Sequence, residues 1–464
     1  MTRYCFLGLV VLNLLPLTHA LSNDIVARAI SSSSSTSTVS VPPSTRSHPT
    51  SLPHSSYNGT ATVTGALTAS SIGTGIPSGN VSYTATTYPS DGNLQNAEPA
   101  PYVPAGGVGT NGSIPVYNAK SDFDYESLAL ALYQEWIELD LFQDGLRRFS
   151  AKDFKAAGLS SKERDLIAFM AEQEVGHATL ISNILGANAP QQCAYVYPYT
   201  NVSEFIDFAQ KVTRSGEAGV YGFLAHLDSR EAATLLTQSI SVEARQQVIF
   251  RQFQGLFPMP EWFEVGIPQS WAWTLLAPYI SWCPENQTRL VWENFPALKI
   301  LDQPSLTDQQ SGQNTSTTQN NTISPGTNVV KASQGKNASS SARQNITTEN
   351  IPSLSYPGRE VVLHWDNPGK AVGPNNSYVT TSQAKTAQYV VWVSQLNVTY
   401  SSLTSVNGTW GHTFQPDLET YQGDPAVNGT IFIAITDSNP VLSPSNLSSI
   451  NPHIVAGPAI YQAG

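Results

Sequence analysis

The sequence is poor in charged residues. Only 12% of its 464 residues are Asp, Glu, Lys or Arg, which is about half of the share in an ordinary soluble domain. The charges that are present are mostly acidic, with 23 Lys and Arg against 34 Asp and Glu and a net charge of −11. A chain of this charge lacks the electrostatic means to hold nucleic acid or anionic lipid. We therefore expect no nucleic-acid partner.

Long apolar runs are also lacking. Residues 1–20 contain one early cation, a short apolar run and a small residue at the end, Ala20, which together indicate a secretory signal peptide. Pro16 interrupts this run, and a membrane anchor, the less favoured alternative, needs about 20 apolar residues. No later segment is apolar enough to span a bilayer, so we predict no transmembrane segment. The predicted location is extracellular or in the cell wall.

Cysteine is scarce, with three in the chain, which excludes a disulfide-dense scaffold and a four-cysteine zinc module. Cys5 falls in the predicted signal peptide, which leaves Cys193 and Cys283 as an even pair in an oxidising compartment. We predict a disulfide between them, with two free thiols as the alternative.

Glycosylation sequons, in contrast, are abundant. Their crowding in a chain that looks secreted predicts a glycan coat, which would supply solubility where charge does not. The candidate sites are Asn58, Asn80, Asn111, Asn201, Asn286, Asn314, Asn320, Asn337, Asn345, Asn375, Asn397, Asn407, Asn428 and Asn446.

Composition divides the mature chain into four parts. Residues 21–120 and 303–351 are rich in Ser, Thr, Gly, Pro and Asn, and such segments bury too little apolar surface to fold. We interpret the first as a disordered, O-glycosylated stalk and the second as a disordered linker. Two ordered blocks remain, residues 121–302 and 352–464.

The first block has helical periodicity over 122–148, 161–185, 202–226 and 230–254, with start signals Ser160-x-x-Glu163 and Asp228-x-x-Glu231. These lengths predict a four-helix bundle in which residues 186–201 form a crossover, followed by a Trp-rich tail that packs on it. The second block alternates apolar and polar residues, as in 360–365, 388–393 and 429–436, and this pattern predicts a small antiparallel β-sandwich. The fold class is thus α+β and multidomain.

Polar residues interrupt the apolar stripe of each predicted helix. Glu135 lies inward in the first helix and Glu217 in the third, Glu174 and His177 lie one turn apart in the second, and Glu243 and Gln246 do so in the fourth. Glu138 competes with Glu135 as the inward carboxylate, although we favour an exposed position for it. Burying such carboxylates costs several kcal/mol per ion. Bound metal would neutralise them, and a degenerate bundle with protonated or water-bridged carboxylates is the alternative.

The sequences around these residues, Tyr-Gln-Glu-Trp-Ile-Glu, Glu-Gln-Glu-Val-Gly-His, Ser-Gly-Glu-Ala-Gly and Ser-Val-Glu-Ala-Arg-Gln-Gln, resemble the ferritin-like superfamily. They are most similar to its branch of plant desiccation-related proteins and secreted fungal stress-response and sexual-development proteins. The resemblance implies iron or manganese as cofactor. It implies the ligands Glu135, Glu174, His177, Glu217 and Glu243, with Gln246 where the family has a second His. Phe142 stands where many ferritins have Tyr.

Three functional hypotheses follow. The first is a secreted, glycosylated, ferritin-like protein of the fungal cell surface that acts in stress or developmental response and has a partly degenerate metal site. The second is a di-iron or di-manganese oxidoreductase that handles O₂ or peroxide, and the third is a structural wall glycoprotein. No nucleophile arrangement is present in the sequence, so we assign no catalytic residue and favour binding over catalysis. A polysaccharide or protein of the cell wall is the expected partner.

Overall fold

A computed structural model describes residues 118–304 and 354–464, except residues 286, 288, 422, 423 and 425 and the side chain of Asn428. The predicted signal peptide and nearly all of the predicted stalk and linker lie outside the described residues. The same is true of the sequons at Asn58, Asn80, Asn111, Asn286, Asn314, Asn320, Asn337 and Asn345.

The first block is helical, as its periodicity predicts. Its helices are α1 (Asp122–Arg148), α2 (Ala151–Ala156), α3 (Ser161–Leu185), α4 (Val202–Leu224), α5 (Arg230–Gln254) and α6 (Gln269–Leu276). The four long helices α1, α3, α4 and α5 confirm the predicted bundle. No helix in the described ranges is both long and apolar enough to cross a membrane.

Side-chain caps explain where two of these helices begin. The predicted capping box is present at α3, where Ser160 accepts a backbone hydrogen bond and Glu163 accepts from the backbone of Ser160. The predicted signal at Asp228 is wrong by one residue, because Ser229 caps α5 by accepting from the Ala232 N–H. Asp124 explains the shift, since its carboxylate accepts from the backbone N–H groups of both Asp228 and Ser229.

A crossover with three stacked tyrosines joins α3 to α4 along the side of α1. The rings of Tyr195, Tyr197 and Tyr199 stack at centroid distances of 6.2 and 5.5 Å. Tyr197 donates a hydrogen bond to Asp140 at 2.8 Å, and Tyr199 donates one to Asp144 at 2.6 Å. These contacts hold residues 186–201 against α1 and agree with the predicted crossover.

The strands are short, and all of their pairings are antiparallel. They are β1 (Ala194–Tyr195), β2 (Ile280–Trp282), β3 (Leu298–Ile300), β4 (Glu360–Trp365), β5 (Ala371–Val372), β6 (Tyr378–Val379), β7 (Tyr389–Ser394), β8 (Asn397–Ser402), β9 (Thr404–Asn407), β10 (Trp410–Phe414), β11 (Thr430–Thr436) and β12 (Ile454–Gln462). Two four-stranded sheets have the orders β3-β4-β10-β9 and β12-β11-β7-β8, and two small ladders join β1 to β2 and β5 to β6.

The described molecule has three layers, with sheet β12-β11-β7-β8 in the middle. One face of this sheet, which includes Val391 and Phe432, belongs to the core of the helical block. Its other face, which includes Trp392 and Ile433, packs against sheet β3-β4-β10-β9. Every residue of β11 is buried for this reason. Sheet β3-β4-β10-β9 has one face buried in this contact and one outer face.

The Trp-rich tail packs against the bundle, as expected. Trp271 and Trp273 are fully buried, and the indole N–H of Trp292 donates to the backbone carbonyl of Glu126 in α1. The Cys193–Cys283 disulfide is present and joins the crossover to this tail, beside the β1–β2 ladder. The tail also contributes β3, which pairs with β4 from beyond the linker.

We expect the disulfide to contribute strongly to stability, because it closes a loop of 90 residues. Replacing both cysteines by serine should lower the free energy of unfolding by about 4 kcal/mol, mainly by restoring entropy to the unfolded chain. Urea unfolding of the two proteins measures the difference. A reducing agent should have a similar effect on the wild type and none on the double variant. A loss below about 1 kcal/mol would contradict the prediction.

Candidate metal centre

Three helices bring acidic and imidazole side chains together in the centre of the bundle. Glu135 comes from the middle of α1, Glu174 and His177 from α3, and Glu243 from α5. The spacing of three residues between Glu174 and His177 places both on one face of α3. Glu135, Glu174 and Glu243 are at most 3% exposed, so the carboxylates lie in the protein interior.

His177 is in contact with all three carboxylates. Its Nδ1 lies 2.9 Å from Glu174 Oε2, 3.3 Å from Glu135 Oε2 and 3.8 Å from Glu243 Oε1. Ligand atoms of Glu135, His177 and Glu243 all lie within 4.8 Å of one another. The His177 side chain is 12% exposed, so one edge of the site faces solvent.

Glu138 lies beside this site, close enough that the charges of Glu174 and Glu135 raise its pKa, and the sequence-based expectation that it is exposed is wrong. It is 1% exposed, and its carboxylate accepts hydrogen bonds from Gln134 at 2.6 Å and from Thr213 at 2.8 Å. The physical reason is that α1 packs against both α3 and α4, which buries nearly its whole circumference. The polar residues of α1, including Glu138, therefore do not form a solvent-exposed face.

Gln246 occupies the position where the family resemblance implies a second histidine. Its Nε2 donates a hydrogen bond to Glu174 Oε1 at 2.5 Å. Its Oε1 is buried without a hydrogen-bond partner among the described residues. A neutral amide oxygen is a weaker ligand for transition metals than imidazole. We call Glu135, Glu138, Glu174, His177, Glu243 and Gln246 the carboxylate cluster.

Glu217, a candidate ligand from the sequence, is like Glu174 and Glu138 in lying outside the group of close ligand atoms formed by Glu135, His177 and Glu243. Unlike Glu174, it does not contact His177. It forms an ion pair with Arg214, one turn earlier in α4, at 3.5 Å. Arg214 also pairs with Glu261 and Glu264, which lie in the segment after α5. Thr213, rather than Glu217, is the α4 side chain that bonds to a carboxylate of the cluster. Burial raises the pKa of Glu217 to about 7, and the charge of Arg214 limits the rise.

The carboxylates of the cluster need either protons or positive charge to neutralise them. Burial raises the pKa of Glu135, Glu138 and Glu243, and neighbouring carboxylates raise the pKa of Glu138 and Glu243 further. Burial disfavours the imidazolium form of His177, but Glu135 and Glu174 outweigh burial and raise its pKa to about 12. In the absence of metal, the His177 imidazolium is the one cation in direct contact with these carboxylates in the described residues.

The residues of the cluster fit iron or manganese. Carboxylate oxygens and one imidazole nitrogen are suitable ligands for both ions. Gln246 Oε1 is buried and makes no hydrogen bond within the described chain, and the buried Glu135 Oε2 has His177 Nδ1 at 3.3 Å as its neighbour, so both atoms keep lone pairs that a metal would satisfy. Glu217 Oε1 is also buried without a hydrogen bond. Phe142, which packs on Phe250 at a centroid distance of 5.6 Å, brings no phenol to the site.

Comparisons with known proteins agree with this geometry. The sequence profile of the ferritin-like domain matches residues 122–256, which include the four long helices and the whole carboxylate cluster. Protein rds1 of Schizosaccharomyces pombe is 48% identical over 372 residues, which cover 80% of this chain and 88% of that protein.

His177 should be important for the stability of the metal-free protein. His177→Ala removes the cation from a buried ionic group, and we expect a loss of about 3 kcal/mol in the free energy of unfolding at pH 7. Urea unfolding after treatment with a chelator measures it. His226→Ala is the matched control, because His226 is half-buried against Phe123 in the same bundle, and it should cost less than about 1 kcal/mol. Equal losses would contradict the prediction.

Proposed function

The chain belongs to the ferritin-like family, and from this premise we propose that it is a metal-binding protein of the fungal cell surface that acts in stress or developmental response. The observation that carries the metal proposal is the carboxylate cluster. Glu135, His177 and Glu243 place ligand atoms within 4.8 Å of one another at the centre of a bundle that otherwise offers them little positive charge. A divalent cation stabilises such a group.

The residues of the cluster have distinct roles in this proposal. Glu135, Glu174 and Glu243 neutralise the ion, and His177 supplies a nitrogen ligand. Gln134 and Thr213 orient Glu138 through two hydrogen bonds, so that it offers an oxygen in a defined position without a large entropic cost. Bound iron or manganese supplies Lewis-acid and redox chemistry.

The same residues favour binding over rapid turnover. Gln246 replaces an imidazole ligand with a neutral amide, and Phe142 replaces a phenol that could donate a proton and an electron. The oxidoreductase hypothesis therefore ranks second. Iron storage does not follow from the fold, because this chain joins its bundle to a β-sandwich through a broad buried contact.

The cell-surface part of the proposal has its own support. The disulfide between Cys193 and Cys283 is the kind of bond that persists in an oxidising compartment. The N-terminal segment has the features of a signal peptide, and the sequons at Asn201 and Asn407 lie at exposed positions. The role in stress or development follows the resemblance of the helical motifs to stress-response and developmental proteins.

Metal analysis tests the proposal and separates Glu217 from the cluster. The purified protein is stripped with a chelator, reloaded with Mn(II) or with Fe(II) under anaerobic conditions, desalted and measured by mass spectrometry. We expect stoichiometric metal in the wild type and in Glu217→Gln, and its loss in Glu135→Gln and Glu174→Gln. Metal at a concentration of 100 Kd should also stabilise the wild type by about 2.7 kcal/mol.

Two outcomes would reject the metal proposal in this form. One is trace metal in the reloaded wild type. The other is a loss of metal in Glu217→Gln as large as in Glu174→Gln, which would place the site elsewhere. Circular dichroism of each variant shows whether its bundle is intact.

Gln246→His should strengthen metal binding, because it replaces the amide with an imidazole. We expect Fe(II) affinity to rise about tenfold or more, which corresponds to about 1.4 kcal/mol. Gln247→His is the control, since Gln247 is one residue away and bonds to Gln210 in α4 instead. Oxygen uptake on addition of Fe(II) then distinguishes the two functions. Rapid uptake by the wild type would favour the oxidoreductase over the binding protein.

A further inference from the structure

The outer face of sheet β3-β4-β10-β9 carries exposed aromatic side chains. Trp410 is 48% exposed and Phe414 is 49% exposed, although Gly411 and Thr413, the alternate residues of β10, are buried. Trp410 and Phe414 lie on the same outer face of β10, with His412 between them.

Trp410 lies in a row of side chains that crosses all four strands. Lys299 pairs with His364, His364 pairs with Trp410, and Trp410 pairs with Asn407. We call these four residues the outer row. The rings of His364 and Trp410 are 4.5 Å apart. Side chains directly opposite each other on antiparallel strands have Cβ atoms about 4.5–5.5 Å apart, so Asn407 is an immediate neighbour of Trp410 on the same face.

Asn407 is the acceptor of the sequon Asn407-Gly408-Thr409. It ends β9, and a two-residue turn leads to Trp410 at the start of β10. Gly408 takes the first position of this turn with φ of 62°, where glycine is favoured in hairpins. The Asn407 side chain is exposed and makes no hydrogen bond within the described part of the chain, so its amide nitrogen is available for a glycan.

The other sequons with a described side chain differ in their surroundings. Asn375 is half-buried, and its Oδ1 is buried without a hydrogen bond in the described chain. Asn446 is 2% exposed, and its Oδ1 accepts from the Ser443 N–H. The Asn397 Nδ2 donates to the Glu419 carbonyl, and Asn201 caps α4. Asn407 thus combines exposure, a free amide and an exposed aromatic neighbour.

On the basis of the proposed secretion and glycosylation, we infer that the N-linked glycan at Asn407 packs its first sugar rings on Trp410 and extends along the outer row toward His364. One face of a pyranose ring presents C–H groups, and these pack well on the electron-rich face of an indole ring. The glycan is the favoured occupant because the register places its attachment atom beside the indole, so no second molecule has to be recruited.

The position of β9 supports this occupant. β9 is an edge strand, and all four of its residues are exposed. An exposed edge strand invites pairing with another copy of the chain unless it is blocked. A glycan at the end of β9 would cover the adjacent Trp410 and obstruct that pairing.

The experiment uses the full-length chain secreted from a yeast host. Mass spectrometry of peptides establishes whether Asn407 carries a glycan. Hydroxyl-radical footprinting then measures the oxidation of Trp410 before and after enzymatic removal of N-glycans. We expect Trp410 oxidation to rise severalfold on removal. Phe169 is the internal control, because it has a similar exposure of 54% and lies in α3, which contains no sequon.

A double-mutant cycle tests the same contact through stability. Asn407→Gln should lower the melting temperature by about 2–4 °C in the wild-type background and by much less in Trp410→Ala. Trp410→Phe keeps an aromatic face and should preserve most of the effect. Digestion that leaves one sugar on each Asn should also preserve most of it.

Each contrary outcome has a distinct meaning. Glycans at other sequons with an unmodified Asn407 overturn the inference, and so does an occupied Asn407 whose effect is equal in both Trp410 backgrounds. A glycosylated dimer that Trp410→Ala dissociates would assign the face to a second copy and also overturn it. A secreted chain without any N-glycan would overturn the inference and would also reject the glycoprotein part of the proposed function.

Discussion

The contact between His177 and three buried carboxylates is the constraint on which the helical block depends. Ionised carboxylates are costly to bury, and those of Glu135, Glu174 and Glu243 come from three different helices. Whatever positive charge holds them together, a proton on His177 or a bound ion, also holds those helices together. The packing of the bundle and its capacity for metal thus have the same physical origin.

A second ionic group connects the bundle to the β-sandwich. Arg214 of α4 pairs with Glu261, and Glu261 in turn accepts a hydrogen bond from the backbone of Thr430 at the start of β11. Arg251 of α5 donates to the backbone carbonyl of Gly464, beyond the end of β12. Because β11 is buried on both faces, these bonds lie at the edge of a continuous apolar contact. Glu217 takes part in this connection through Arg214, which explains why it is absent from the cluster.

The helices and the main strands were predictable because their signals are local. The start and end of α1, α3 and α5 follow from apolar spacing and caps such as Ser160, and β4, β7 and β11 follow from alternation. β3 was not predictable, because Leu298–Ile300 is short and its partner β4 lies beyond a long linker. Glu138 was misjudged because an amphipathic pattern assumes one buried face, whereas α1 has neighbours on both sides.

The sequence by itself determined which residues form helices and strands, which cysteines pair, and which carboxylates lie on apolar stripes. The helices, the strands and the apolar stripes depend on nearby residues. The disulfide follows because only two cysteines lie outside the predicted signal peptide. The tertiary structure alone decided that Glu138 joins the cluster, that Glu217 turns to Arg214, and that Asn407 lies beside Trp410. The period of a helix or strand specifies the direction in which each side chain points away from the axis of that helix or strand. The group that it meets in that direction depends on how distant segments pack.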